Sequence, residues 1–304
     1  MTALTIVIPV YNRAGIVGRT LESIEAQSWR PLNVVLVDNG STDGTYGVLS
    51  RWKDSCKASG INVTLVKEPI PGAAAARNRG LMEVSTPWVM HFDSDDAMRP
   101  GHIERIEKAI AGNPTAGIIG WDVMVHRNDG DHRYGFKAND ALYNALFHGT
   151  MATLRWAATV KLVRGAGMWN PDVKGWDDSE LGIRMLALKP KAIYLRNHIG
   201  ADVYASSESI TGTGYAICAS RWEHSLDCME NSIPGLRWRR RVNLMRAILA
   251  GLYMREECPE AANLLIGKVM ASEKSTLYRT LYNISYRMTS SGHRGAARLM
   301  RPFF

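Results

Sequence analysis

Two aspartates one residue apart, Asp93 and Asp95, follow an apolar run and precede Asp96 and Pro100. Carboxylate oxygens are the ligands a hard divalent cation takes. Such a cation neutralises charge on a diphosphate leaving group as a glycosidic or phosphoryl bond breaks. Asp38 ends another apolar run and opens Asp38-Asn39-Gly40-Ser41-Thr42-Asp43-Gly44. A carboxylate there can accept a hydrogen bond from a ring N–H such as that of uracil. Gly40 and Gly44 allow turns closed to other residues, and Ser41, Thr42 or Asp43 can cap the next helix. In Gly72-Ala73-Ala74-Ala75-Ala76-Arg77-Asn78-Arg79-Gly80 the small residues allow close backbone approach, and Arg77 can clamp a phosphate bidentately. Each stretch has a plainer reading: turn formers in loops, an Asp-rich cap before His102, an Ala-rich packed helix with an exposed Arg.

The elements that must position these residues alternate regularly. Leu4–Val10, Leu32–Val37, Ile61–Val66 and Trp88–Phe92 are short apolar runs that predict strands. Gly15–Gln27, Thr45–Lys57 and Ala73–Glu83 separate them with helical spacing. Nearly continuous apolar strands alternating with helices predict an α/β chain with a mostly parallel sheet covered on both faces. Ligands bind such a sheet at the carboxyl ends of its strands, which is where Tyr11-Asn12-Arg13, Asp38–Gly44 and Asp93–Asp96 fall. Further on, His102–Ala111 and Ser179–Leu188 read as helices and Ala116–Val125 and Ala192–Leu195 as strands. Residues 127–140 read as a polar loop, and the chain becomes helical from about 215.

The chain has 304 residues, 46% of them apolar and 22% charged, as in a folded globular protein. Its net charge of +8 is uneven: residues 1–214 hold 23 basic and 22 acidic side chains, residues 215–304 hold 14 and 7. No nucleic-acid-binding motif accompanies the charge, so nucleic acid is not an expected partner. Cys56, Cys218, Cys228 and Cys258 form no C-x-x-C pair or zinc spacing, which suggests free thiols in a reducing cytosol. The first residues lack a basic stretch followed by a long apolar one, so no signal peptide is expected. No run reaches the ~18 apolar residues of a membrane span.

Ile8-Pro9-Val10-Tyr11-Asn12-Arg13, Val37 to Thr45, Gly72 to Gly80 and Phe92-Asp93-Ser94-Asp95-Asp96 together resemble the family-2 glycosyltransferases of the GT-A fold. The resemblance is strong over residues 3–100. It implies a Rossmann-like sheet, a nucleoside diphosphate sugar donor, with UDP favoured, and inverting transfer. By motif, Pro9, Val10 and Tyr11 would line the base and Asp38 would hydrogen-bond it. Arg77 would contact base or phosphates, Asp93 and Ser94 would lie near the ribose, and Asp95 would ligate Mg²⁺ or Mn²⁺. The family often has Asp where this chain has Asn39, a further expected nucleotide contact. Trp176-Asp177-Asp178-Ser179-Glu180 looks like the acceptor-side motif, with Asp178 at the position of the base, Asp177 replacing the usual Glu, and Trp176 able to stack on a sugar. The same acidic run also suits a helix start. Asp202-Val203-Tyr204 and Ser209-Ile210-Thr211 resemble the segment returning to the active site, and His198 and His224 are candidate metal or phosphate contacts.

The domain expectation is a nucleotide-sugar half (1–100), an acceptor half (101–214) and a basic helical extension (215–304). In the extension Trp238, Val242, Met245, Leu249 and Leu252 form one apolar stripe beside Arg237, Arg239, Arg240, Arg241, Arg246 and Arg255. This pattern suits either contact with an anionic membrane through 237–255 or a helix packed on the domain. The expected activity is sugar transfer to a glycan or lipid-linked acceptor in bacterial surface polysaccharide synthesis, in the cytoplasm or at the inner membrane face. Nucleotidyl transfer is the rival enzyme class. It usually places a Gly-rich loop with a Lys after the first strand, where this chain has Tyr11-Asn12-Arg13. A non-catalytic sugar-nucleotide-binding partner protein is the other rival.

Overall fold

The computed structural model describes residues 2–204 and 214–304; Ser209, Ile210 and Thr211 lie outside them. The chain begins β1 (Leu4–Val10), α1 (Val17–Glu25), β2 (Leu32–Asp38), α2 (Thr45–Ser55), β3 (Ile61–Lys67), α3 (Ala73–Met82) and β4 (Trp88–His91). It continues β5 (Ala97–Met98), α4 (His102–Gly112), β6 (Ala116–Arg127), β7 (Gly130–Tyr134), α5 (Ala141–His148), β8 (Trp156–Thr159), α6 (Val160–Gly165), α7 (Asp177–Ala187) and β9 (Lys191–Tyr204). Then come α8 (Ala219–Ser232), α9 (Leu236–Arg255), α10 (Pro259–Ser272), α11 (Thr276–Ser290) and α12 (Ala296–Met300).

One sheet has the order β3-β2-β1-β4-β8-β6-β9-β5, with β7 added on β6. The first four strands are parallel, as their apolar character predicts. β8 is antiparallel to both β4 and β6, β9 runs parallel to β6, and β5 is antiparallel to β9. Close packing of α3 on β1 and β2 depends on Gly80, because a Cβ there would meet Val7 Cγ1 and lie 3.0 Å from Val37 Cγ2.

Two expectations need correction. Residues 127–140 are not all loop: Gly130–Tyr134 pairs antiparallel with the end of β6. This hairpin carries its polar residues on both faces, so it shows no alternation of apolar and polar side chains. The strand expected at Ala192–Leu195 extends to Tyr204, because β6 offers it a partner along that length.

The described chain divides into two compact units, one of residues 2–141, 150–171 and 188–204, the other of 142–149, 172–187 and 214–304. This differs from the three-part division read from sequence. Tertiary contacts assign Trp176, Asp177 and Asp178 with the C-terminal helices, because α7 packs on α8 within the second unit. The first unit is built on β-sheet residues such as Ile6, Val34, Met90 and Trp121. The second is built around α9, which packs on α10 and α11. Trp238, Val242 and Leu249 are buried as the stripe predicts, but Arg241 is buried too, its Nε donating to the Phe304 carbonyl at 2.8 Å. Arg246 is paired with Asp227 and Glu230, and Arg240 with Glu273. So α9 is a packed helix, and only part of its basic side faces solvent.

Candidate active site

The loops after β1, β2 and β3 are bound to one another by short polar side chains. Asn12 has a left-handed backbone (φ 49°), a conformation Asn tolerates. Its N–H donates to Ser41 Oγ at 3.0 Å and its Oδ1 accepts from the Thr42 N–H at 2.8 Å. Asp43 accepts from the Thr45 hydroxyl and from the Ala14 and Thr45 N–H groups, and the hydroxyl is the main cause holding its carboxyl below the usual range. Asn39 is a second tie. Its amide donates to the carbonyls of Glu68 (2.9 Å) and Ile70 (2.7 Å) and its oxygen accepts from the Gly72 N–H (2.8 Å). An aspartate has no protons for the first two bonds, so Asn suits this position. Its amide is occupied with the loop that leads into α3.

Asp38, just before, differs. It is 3% exposed, and its Oδ1 is buried with no hydrogen-bond partner. A buried carboxylate oxygen is normally paired, and an N–H donor from a bound ring would satisfy this one. Tyr11 is 56% exposed beyond the end of β1 and Pro9 is half-buried. The Val10 side chain, expected on the base, is instead in the core, where the strand's alternation turns it.

After β4 the chain passes through a turn at Ser94 and Asp95 before β5. Asp93 and Asp95 are half-buried, whereas Ser94 and Asp96 are buried. Burial and the Asp93 charge raise the affinity of Asp95 for its proton, while Arg13 Nη2, 3.7 Å from Asp95 Oδ2, opposes this. Asp96 rises to about 8, mainly from burial and then from Asp93; its Oδ1 accepts the Tyr204 N–H at 2.8 Å. A half-buried carboxylate whose charge is disfavoured by burial and by a neighbouring aspartate fits a site for a divalent cation. Among the described residues no cluster of three or more acidic, His or Cys side chains is arranged to hold a metal. A cation shared with substrate phosphates takes only one or two protein carboxylates.

Arg77 Nη2 reaches Asp93 Oδ1 at 3.1 Å, and the guanidinium lies 4.3 Å from the centre of the Trp169 ring. Trp169 is itself clamped: Asn78 Nδ2 donates to its carbonyl (2.8 Å) and its N–H donates to Asn78 Oδ1 (3.0 Å). The indole N–H donates to His91 Nε2 at 3.1 Å. Burial, and then the Arg77 charge, keep His91 neutral, far below the ordinary histidine range. Sequence reasoning did not find Trp169 or Asn78, because their partnership crosses 91 residues and has no local signature.

In the second unit Asp178 lies in the first turn of α7, and the Ser179 N–H donates to its Oδ1 at 2.6 Å. The buried Glu180 forms a bidentate pair with Arg184, both contacts 2.6 Å. Trp176 has φ 52° and packs against Trp222 and Tyr215, with ring centres 4.7 and 6.2 Å away. Asp177 begins α7. His198, a candidate metal contact, instead pairs with His102 at 2.8 Å within the first unit. His224 Nε2 lies 3.6 Å from Cys228 Sγ on α8. All four cysteines are free.

This is a GT-A-type α/β fold whose parallel strands end in a polar, acidic edge. A family model described as glycosyl transferase family 2 matches residues 5–161, and the chain belongs to that family. It is 30% identical over 112 residues to the lipopolysaccharide core biosynthesis glycosyltransferase LpsC of Rhizobium meliloti, covering 37% of this chain and 38% of LpsC. It is 32% identical over 123 residues to the succinoglycan biosynthesis protein ExoO of the same organism, covering 40% and 34%. The match to glycosyltransferase GlyA of Streptococcus pneumoniae covers 35% of this chain and 15% of GlyA, at 29% identity. The chain thus spans less than two fifths of these relatives. Staphylococcus aureus TarS 1-349 in complex with UDP shares the fold (TM-score 0.67, 15% identity, 100% of this chain and 92% of that one). So does the mannosyltransferase PcManGT from Pyrobaculum calidifontis in complex with GDP-Man and Mn²⁺ (TM-score 0.59, 20% identity, 99% and 87%).

Proposed function

We propose that this protein is an inverting, metal-dependent glycosyltransferase. It would move a sugar from a nucleoside diphosphate donor, UDP above others, to a glycan or lipid-linked acceptor in bacterial surface polysaccharide synthesis. The observation that carries this reading is the buried, unpartnered Asp38 Oδ1 at the carboxyl edge of the parallel strands, beside loops fixed by Asn39 and Asn12. Structures that share the fold carry UDP and GDP-Man, and relatives act in lipopolysaccharide core and succinoglycan synthesis.

On this reading Asp38 accepts the base N–H while Pro9 and Tyr11 flank the base. Arg77 holds Asp93 in place and adds positive charge near the donor. Asp95 would hold Mg²⁺ or Mn²⁺, which when bound offsets charge on the departing diphosphate, with Asp93 near the ribose. Asp178 takes the proton of the acceptor hydroxyl as that oxygen attacks the anomeric carbon, and the bond to the diphosphate oxygen breaks with inversion. Trp176 and Asp177 are assigned to the acceptor. Peripheral contact with anionic lipid is assigned to the exposed Arg237 and Arg239, with the exposed Leu236 beside them. No helix among the described residues is long and apolar enough to cross a membrane.

A thermal-shift panel of nucleoside diphosphate sugars with and without Mn²⁺ tests the donor, since ligand binding raises Tm by mass action. The Asp178→Asn variant tests the base: transfer is lost by at least about 100-fold while UDP binding is kept. Full turnover by Asp178→Asn overturns the assignment.

A further inference from the structure

The polar β6–β7 hairpin and the end of β9 enclose a histidine that no part of the mechanism above uses. His126 Nδ1 lies 2.7 Å from Asp131 Oδ1 on β7, and its Nε2 lies 2.8 Å from Asp202 Oδ1 on β9. Ionised carboxylates only accept hydrogen bonds, so both contacts are hydrogen bonds only when both ring nitrogens carry protons and the ring is an imidazolium. Without one proton, a nitrogen lone pair would face a carboxylate. Arg99 holds Asp202 from the other direction through Nε (2.9 Å) and Nη2 (2.7 Å).

The His126 ring also stacks on Tyr204, with centres 5.0 Å apart and planes 22° apart, and the Arg19 guanidinium lies 3.9 Å from the same Tyr204 ring centre. Tyr204 in turn is tied to the acidic loop, its N–H donating to Asp96 Oδ1. Thr20 and Arg19, on α1, bind the carbonyls of Asp96 (2.7 Å) and Asp95 (3.4 Å). Two contacts thus lead from the imidazolium to the loop bearing Asp93 and Asp95.

We propose that His126 is a positioning residue for donor binding: its positive charge fixes the Asp202–Tyr204 end of β9 against the Asp93–Asp96 loop, so that donor affinity falls when the ring loses its proton. This rests on the reading that the strand edge binds a nucleoside diphosphate sugar. The hydrogen bonds to Asp202 and then Asp131 raise the proton affinity of His126 above the ordinary histidine value of 6.5. The transition therefore falls on the alkaline side. The groups facing the ring are Asp131 from β7, Asp202 and Tyr204 from β9, Arg99 through Asp202, and Arg19 through Tyr204. Asp96, one contact further away, is pushed up to about 8, so the test must separate it from His126.

UDP binding with Mg²⁺ is measured by calorimetry from pH 6.0 to 8.5 on the full chain and on His126→Gln. The full chain loses affinity on the order of fivefold or more toward high pH, and His126→Gln binds weakly throughout without that component. In parallel, the His126 imidazole resonance is titrated by NMR, assigned by its absence from His126→Gln. It titrates above 6.5, and saturating UDP with Mg²⁺ moves the midpoint up, because proton and nucleotide binding are reciprocally linked. An unchanged pH profile in His126→Gln, a midpoint at or below 6.5, or a midpoint indifferent to UDP each overturns the proposal. Should His126→Gln fail to fold, the resonance is assigned by through-bond NMR on the wild-type chain, and the two wild-type titrations decide it. A wild-type chain that binds UDP equally at every pH refutes only this inference; one that binds no nucleoside diphosphate refutes the donor reading as well.

Discussion

Replacing Asp38 with Ala has two consequences of unequal size. In the ligand-free protein Asp38 Oδ1 is buried without a partner. Leaving a buried polar atom unpaired costs about 1–3 kcal/mol. Removing the carboxyl relieves that cost and loses little apolar contact, so the ligand-free protein should be unchanged or slightly more stable, within ~1 kcal/mol. A shift of that size is about 2–4 °C in Tm for a chain of this kind. With nucleotide bound, the same deletion removes a hydrogen bond to a charged acceptor, about 1.5–3 kcal/mol. At 1.36 kcal/mol per decade this is a loss of about 10- to 150-fold in UDP affinity. Asp38→Asn keeps the shape, can still turn an oxygen to the base, and should fall between. The assay pairs denaturant unfolding of the ligand-free protein with calorimetric titration of UDP in Mg²⁺. A variant that keeps UDP affinity within twofold refutes the role of Asp38. A ligand-free variant destabilised by more than ~2 kcal/mol shows that the carboxylate serves the fold.

Three further outcomes follow from the packing. His198 is held at about 4 by burial, while an unfolded histidine titrates near 6.5. The unfolded chain therefore binds more protons between those values, and the stability from His198 is complete above 6.5 and lost as pH falls toward 4. Its share of the loss between pH 7.5 and 5.5 is on the order of 1 kcal/mol. Urea unfolding at the two pH values should show at least this drop, since buried His102 and His91 act in the same direction, and stability that rises on acidification refutes it. Gly80→Ala should cost about 1–3 kcal/mol by forcing α3 off Val7 and Val37; an unchanged denaturation midpoint contradicts the close approach. Arg237→Gln with Arg239→Gln should weaken binding to anionic phosphatidylglycerol vesicles by about 1 kcal/mol per charge at low salt, whereas Arg241→Gln should chiefly lower stability. Equal vesicle binding by the double variant removes lipid contact from this face.

Much of the carboxyl edge of the parallel strands was legible in the sequence because its signals are local. A β-branched run ending in Asp38, another ending at Asp93, and glycines at Gly40 and Gly44 are read within a few residues. Each strand therefore announces both its burial and its polar end. The apolar stripe of residues 238–252 was also local.

What surrounds those residues belongs to the tertiary structure alone. Val10 and Tyr11 are adjacent in sequence, yet the pleat sends one side chain into the core and leaves the other exposed. Asn39 reads as a ligand contact until the next loop supplies the two carbonyls its amide binds. His126 reads as one polar residue in a hairpin until β9, about 76 residues on, places Asp202 on its second nitrogen. The basic stripe of α9 could not reveal which arginines face solvent, because Arg241 is buried by contacts from chain more than 60 residues away. Residue type and spacing determined which groups could do chemistry, since hydrogen-bonding capacity and strand period are properties of short segments. Folding decided which of them remain available, since burial and pairing are set by chain that is distant in sequence.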